Sequence, residues 1–153
     1  STSRRTPPVV LGASAVVVSL LKAGAAVEMA DREGVTPLAC AAAHGHADVV
    51  DRLARSGASL VVRTGNGDTP LMLAAAGGHA AVVRRLLASA APTDLQNGHG
   101  DTALILASQS GDLESVQALL AAGASRKLRN RDGVAAADAA RARSFGGLVA
   151  VLN

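Results

Sequence analysis

The segment His44-Gly45-His46-Ala47-Asp48 combines side chains of the metal-binding type. Two imidazoles and a carboxylate are donors that zinc accepts, but a zinc site needs three or four ligands that converge on one point. The pair Gly45-His46 recurs as Gly78-His79, and recurrence at a fixed interval is typical of a repeated turn. The sequence therefore predicts a structural turn here and no metal site.

The single cysteine, Cys40, is a second candidate for chemistry. A catalytic thiol must be exposed and activated, whereas Cys40 occupies a position that later holds Leu73 and Leu106. We therefore expect a small, buried apolar residue. The segments Gly65-Asn66-Gly67 and Gly98-His99-Gly100 superficially suggest phosphate loops, but the lysine and third glycine of such loops do not follow. The sequence predicts no catalytic residue and no cofactor.

These residues are positioned by a repeat with a period of thirty-three residues. Polar, turn and apolar positions all keep this register without an insertion or deletion. Two series of glycines show it: Gly12, Gly45, Gly78 and Gly111, and Gly34, Gly67, Gly100 and Gly133. A unit of this size cannot bury its own apolar face and buries it against its neighbours. The chain is therefore expected to be a stack of equivalent units.

Each unit is expected to form two short helices and a projecting turn, as residues 31–63 illustrate. The side-chain oxygen of Thr36 can cap a helix, and Pro37 suits the first helical position, so we expect a helix of about two turns to begin here. Gly45 supplies the left-handed residue that ends this helix. A second helix follows with an apolar stripe at three-and-four spacing, and then a glycine-rich, hairpin-like turn.

Three stretches of the sequence share one motif. They contain Thr36-Pro37-Leu38, Ala41-Ala42, Gly45-His46, Val49-Val50, Leu53 and Gly57-Ala58; Thr69-Pro70-Leu71, Gly78-His79 and Val82-Val83; and Gly100, Thr102, Leu104, Gly111, Val116 and Gly123-Ala124. The motif resembles the ankyrin repeat, a thirty-three-residue unit of a β-turn and two helices. The resemblance implies an all-α fold, an ankyrin-repeat solenoid of stacked helix-turn-helix units with projecting β-hairpin-like turns.

The sequence departs from that motif at one position. The family has a histidine after its T-P-L triplet, which bonds to the motif threonine and toward the next repeat. Here the position holds Ala39, Met72 and Ile105. We expect apolar packing to replace this polar tie between turns.

The repeat register also predicts the domain organisation. We expect one ankyrin-repeat domain over residues 1–153, with a partial N-terminal repeat or cap at 1–30, full repeats at 31–63, 64–96 and 97–129, and a C-terminal capping repeat at 130–153. The first segment is alternatively the cut end of a longer protein.

Composition bears on compartment and partner. One cysteine excludes an internal disulfide framework and favours the cytoplasm or the nucleus. No apolar run is long enough to cross a membrane. The net charge is +3, and basic residues gather near the C-terminal end: Arg126, Lys127, Arg129, Arg131, Arg141 and Arg143. With no Trp, no Tyr and one Phe, the chain lacks the aromatic residues on which bases stack. The basic end therefore favours an acidic protein partner, or plain solubility, over nucleic acid.

The hairpin tips and the exposed ends of the first helices are expected to build no core and to line one concave surface of the stack. By the resemblance, this surface binds the partner. The candidate residues are Arg32, Glu33, Val35, His44, Arg63, Asn66, Asp68, Gln96, His99, Asp101, Gln109, Ser110, Arg129 and Arg131.

The leading hypothesis is a non-catalytic protein–protein interaction module that binds a protein or peptide on its concave face and is a monomer by itself. Two alternatives stay open. One is a targeting or regulatory domain of a larger enzyme or channel. The other is a basic module that contacts nucleic acid or an anionic surface.

Overall fold

A computed structural model describes residues 34–152 of the chain. This range holds eight helices and no strand: α1 Pro37–Ala43, α2 Ala47–Arg55, α3 Pro70–Ala76, α4 Ala80–Ala88, α5 Ala103–Ser110, α6 Leu113–Ala121, α7 Ala136–Ala142 and α8 Gly146–Leu152. The partial repeat expected at residues 1–30 lies outside the described residues, as do the candidates Arg32 and Glu33.

The eight helices form four consecutive pairs. Within a pair, α1 packs on α2, α3 on α4, α5 on α6 and α7 on α8. Between pairs, the first helices contact one another in the row α1, α3, α5, α7, and the second helices in the row α2, α4, α6, α8. The described residues therefore form the expected all-α solenoid of stacked helix-turn-helix units, in which each pair packs chiefly on the pairs beside it.

The first helices begin as the threonine positions predict. Thr36, Thr69 and Thr102 are N-caps whose hydroxyls accept hydrogen bonds from the amides three residues on, at 3.2, 3.3 and 3.2 Å. α7 has no such hydroxyl, because its N-cap is Ala135. There the side chain of Asp138 accepts a hydrogen bond from the Ala135 amide at 3.1 Å. Every described first helix therefore has a side chain that satisfies a free amide at its start.

The core runs through the first-helix row and along the inner face of the second-helix row. Leu38, Leu71 and Leu104 are fully buried at equivalent positions of α1, α3 and α5, and burying one leucine contributes roughly 1.5–3 kcal/mol. Between them lie buried small residues such as Ala41 and Ala74. Because alanine has almost no side chain, neighbouring helices can approach closely.

The expected apolar replacement of the motif histidine is confirmed. Met72 and Ile105 are each 1% exposed and belong to the core. Ala39 is equally buried but has a much smaller side chain.

Two rings cover the turns of the preceding helix pairs. The Nε2 atom of His79 lies 3.0 Å from the carbonyl oxygen of Ala43. A Cβ atom added to Gly45 would lie only 2.6 Å from Nδ1 of the same ring. Phe145 covers Gly111 in the same way, 2.7 Å from the site of a Cβ. Both glycines have positive φ, +76° and +80°, so these positions require glycine for conformation and for space.

Candidate binding surface

Three projecting turns, here called fingers, precede the first helices of the later pairs. They are residues 64–68, 97–101 and 130–134. In each finger the amide of the first residue donates to the carbonyl of the last at 3.0 Å. A glycine with φ between +77° and +82° makes the tight reversal possible: Gly67, Gly100 and Gly133.

The fingers are joined to one another by the main chain. The amide of Gly98 donates to the carbonyl oxygen of Asn66 at 2.9 Å, and the amide of Arg131 donates to that of His99 at 3.0 Å. Each finger therefore positions the tip of the next.

Side chains add a second set of ties between the fingers. Nδ2 of Asn97 donates to Oδ1 of Asp68 at 2.8 Å, and Nδ2 of Asn130 donates to Oδ1 of Asp101 at 2.9 Å. The amide oxygen of Asn97 accepts from the amides of His99 and Asp101, both at 2.9 Å. Each asparagine therefore satisfies its own finger and holds the preceding one.

A third set of ties runs along the bases of the fingers. Arg63 donates to the carbonyl oxygen of Gln96 at 2.7 Å, and Nε2 of Gln96 donates to that of Arg129 at 3.0 Å. Arg129 in turn donates to Gly133 and Asp138, at 2.7 and 2.9 Å. Three candidate residues from the sequence therefore connect neighbouring units.

Two of the acidic candidates take part in the ties between fingers. Asp101 is only 8% exposed, and its carboxylate accepts the bond from Asn130. Asp68 is half-buried and accepts the bond from Asn97. The exposed side chains at the finger tips are those of Asn66, His99, Arg131 and Asp132.

Four of the candidates come together around a cleft of about 570 Å³ between α1 and the finger 64–68. Val35, His44, Asn66 and Asp68 line it. The other described residues of the lining are Ala39, Cys40, Ala43, Thr64, Gly65 and Leu73. Asp68 is the one charged side chain among these residues when histidine is neutral.

Gln109 and Ser110 line a separate hollow of about 460 Å³ at the ends of α3 and α5. Arg143 of the basic end also lines this hollow. It lines a neighbouring hollow as well, together with Gln109 and Asp132. The 33-residue register would have found Arg143, because it occupies the position of His44 and Ser110 in the last unit.

The basic end has a defined charge arrangement. Arg129 and Arg141 both donate to Asp138 at 2.9 Å. The pKa of Asp138 is lowered, first by the hydrogen bond from the Ala135 amide and then by these two arginines. The remaining basic side chains of this end are exposed and form no ion pair within residues 34–152: Arg126, Lys127, Arg131 and Arg143.

The two histidines of the segment 44–48 contact each other and the main chain of α1. The rings of His44 and His46 stack with centroids 6.1 Å apart, and Nδ1 of His44 lies 2.8 Å from the carbonyl oxygen of Cys40. Cys40 is 5% exposed, as expected for a buried apolar position. Within residues 34–152, no three His, Cys, Asp or Glu side chains come together as a metal site requires.

Comparison with known families gives two overlapping matches. A family model described as ankyrin repeats, in three copies, matches residues 59–130, and one described as ankyrin repeat matches residues 33–65. The chain belongs to the ankyrin repeat family. Ankyrin repeats are generally protein–protein interaction modules. A search of curated proteins gave no match. In the described part of this ankyrin repeat protein, no helix is long and apolar enough to cross a bilayer.

Proposed function

We propose that this ankyrin repeat protein is a non-catalytic module that binds a protein or peptide on its concave face. The exposed finger tips Asn66, His99 and Arg131 line this face, together with the helix-end residues Gln109, Ser110 and Arg143. The observation that carries the proposal is the set of ties between fingers. Main-chain and side-chain hydrogen bonds hold the fingers before a partner arrives. The fingers therefore lose little conformational entropy on binding.

The charge distribution supports an acidic partner segment at the C-terminal end of this face. Residues 122–152 hold six basic and two acidic side chains, whereas the rest of the chain holds nine and ten. Arg131 and Arg143 lie at a finger tip and at a hollow of the binding face, and neither forms an ion pair within the described residues. Opposite charges on the partner would raise the association rate and fix its orientation.

Nucleic acid fits this surface less well. The single aromatic residue of the Phe, Trp and Tyr classes is Phe145, and its half-buried ring covers Gly111. It is therefore not available to stack on a base. Service as the targeting or regulatory domain of a larger enzyme or channel uses the same binding face and is compatible with the proposal. We place the protein in the cytoplasm or nucleus, where its one thiol stays reduced.

Two matched double variants test the proposal. His99→Glu with Arg131→Glu changes two exposed finger tips, and Arg52→Glu with Gln117→Glu changes two exposed residues of the second-helix row by the same net charge. Partners are captured from native cells with the wild-type chain, identified, and titrated against all three proteins. We expect the finger pair to weaken binding about tenfold or more, with the outer pair unchanged and both variants melting like the wild type. Loss of binding only in the outer pair would place the partner on the opposite side.

A further inference from the structure

The side-chain tie that occurs twice between the described fingers cannot form between residues 35 and 64, where the 33-residue register would place it. In the later steps, Asp68 pairs with Asn97 and Asp101 with Asn130. At the first step the equivalent positions hold Val35 and Thr64. The Thr64 hydroxyl accepts from the Asp68 amide inside its own finger at 3.3 Å, but no carboxylate faces it from residue 35. A polar contact is thus replaced by an apolar side chain.

The helix beneath this step is also smaller than its equivalents. α1 carries Ala39 and Cys40 where α3 carries Met72 and Leu73. Ala39 and Met72 are each 1% exposed, so the two positions are equally buried although their side chains differ in length. The cleft of about 570 Å³ lies at this place, with Val35, Ala39 and Cys40 in its lining. Its size falls in the range of roughly 300–1,000 Å³ that is common for ligand pockets.

We propose that this cleft is an anchor site for an extended partner segment that inserts one large apolar side chain and carries a lysine or arginine next to it. The inference rests on the proposed function and specifies the partner at the N-terminal end of the same face. Val35, Ala39 and Leu73 give the cleft apolar walls, and a large apolar side chain that enters it is removed from water, which favours binding.

The basic neighbour follows from the charge at the rim of the cleft. Asp68 lines it, and the described bond from Asn97 occupies Oδ1 of its carboxylate. A cation beside the apolar anchor would meet this carboxylate, the one acidic side chain among the described lining residues. Since Arg131 and Arg143 lie toward the other end of the face, the partner is expected to run from an apolar–basic anchor to an acidic end, which fixes its direction.

The chain itself supplies the variants for a test. Ala39→Met places the longer side chain of the next unit at the wall of the cleft. Val35→Asp with Thr64→Asn installs the tie of the later steps and is a second, independent way to close it. Ala81→Met makes the same side-chain change at an exposed position of α4. Asp68→Asn keeps an acceptor for Asn97 but removes the charge.

Peptides selected from a random displayed library on the wild-type protein serve as the probe, and their affinities are measured by fluorescence anisotropy. We expect an apolar residue next to Lys or Arg in the selected peptides. Ala39→Met and the Val35/Thr64 double variant should each weaken binding about tenfold or more. Asp68→Asn should weaken it about two- to fivefold, and Ala81→Met should have no effect. A photoreactive leucine analogue at the anchor position should crosslink to residues of the cleft.

The outcomes separate the two proposals. If His99→Glu with Arg131→Glu weakens peptide binding but Ala39→Met and the Val35/Thr64 variant do not, the concave face binds and the anchor site is wrong. If crosslinks map to the second-helix row and neither the finger variant nor the cleft variants change affinity, both the anchor site and the proposed function fail.

Discussion

Asn97 donates a hydrogen bond from its side-chain Nδ2 to Oδ1 of Asp68 across 2.8 Å, although 29 residues separate the two in the chain. The same asparagine accepts two amides of its own finger through Oδ1. One side chain thus completes a tight turn and joins two consecutive repeats. The polar tie between these two repeats therefore lies in the fingers, while Met72 and Ile105 pack in the core.

Asn97→Ala is expected to lower the free energy of unfolding by about 2 to 3 kcal/mol, because one donor and two acceptor contacts are lost in a half-buried place. Thr64→Ala removes a single contact of the equivalent finger and should cost about 1 kcal/mol. Chemical denaturation of both variants provides the measurement. Equal losses would show that the tie to Asp68 adds nothing to stability.

Helix caps and core residues should differ in the same assay. Thr69→Ala removes the hydroxyl that accepts the Met72 amide at 3.3 Å and should cost about 1 kcal/mol. Leu86→Ala empties a fully buried site in α4 and should cost about 2 to 5 kcal/mol. The reverse order would contradict the division of these positions into cap and core.

Gly111→Ala should destabilise the protein more than Gly133→Ala. Both glycines have positive φ, +80° and +77°, but a Cβ at Gly133 meets nothing within 4 Å, whereas one at Gly111 lies 2.7 Å from the ring of Phe145. Backbone strain of about 1–2 kcal/mol is common to both variants. The excess at Gly111 should vanish in a Phe145→Ala background, as a double-mutant cycle would measure. A persisting excess would exclude the ring as its cause.

Asp138 should stabilise the protein in a pH-dependent way. Its folded pKa is lowered from 3.8 by the Ala135 amide and by Arg141 and Arg129, so the unfolded chain binds the proton more readily. The stabilisation is then fully present above about pH 4 and is lost as the pH falls through the lower, folded value. The difference in melting temperature between wild type and Asp138→Asn should shrink over that interval. A difference that stayed constant into acid would contradict the coupling.

Much of the fold follows from the sequence because its signals are local. Thr36, Thr69 and Thr102 cap their helices through contacts three residues away, and a repeated spacing shows such contacts in every unit. The burial of Met72 and Ile105 was predictable for the same reason: an apolar residue in a stacked array has neighbouring apolar surface to pack on.

The binding surface was less predictable because it depends on contacts between units. The role of Asp68 requires Asn97 in the next finger, and only the recurrence of the pair as Asp101 and Asn130 hints at it in the sequence. The cleft depends on how α1, Leu73 and the finger 64–68 are placed around it. A small residue looks the same in sequence whether its neighbours close over it or leave a space.

The row-like contacts of the helix pairs have a mechanical consequence. Since each pair packs chiefly on the pairs beside it, tension or mild denaturant acts on one junction at a time, and the array can unzip stepwise from an end. Within the described fingers, the side chain of Thr64 accepts one amide of its own finger, whereas Asn97 and Asn130 each accept two. Amide hydrogens of the finger 64–68 should therefore exchange with solvent sooner than those of the fingers 97–101 and 130–134, which can stay closed while the first of the three opens.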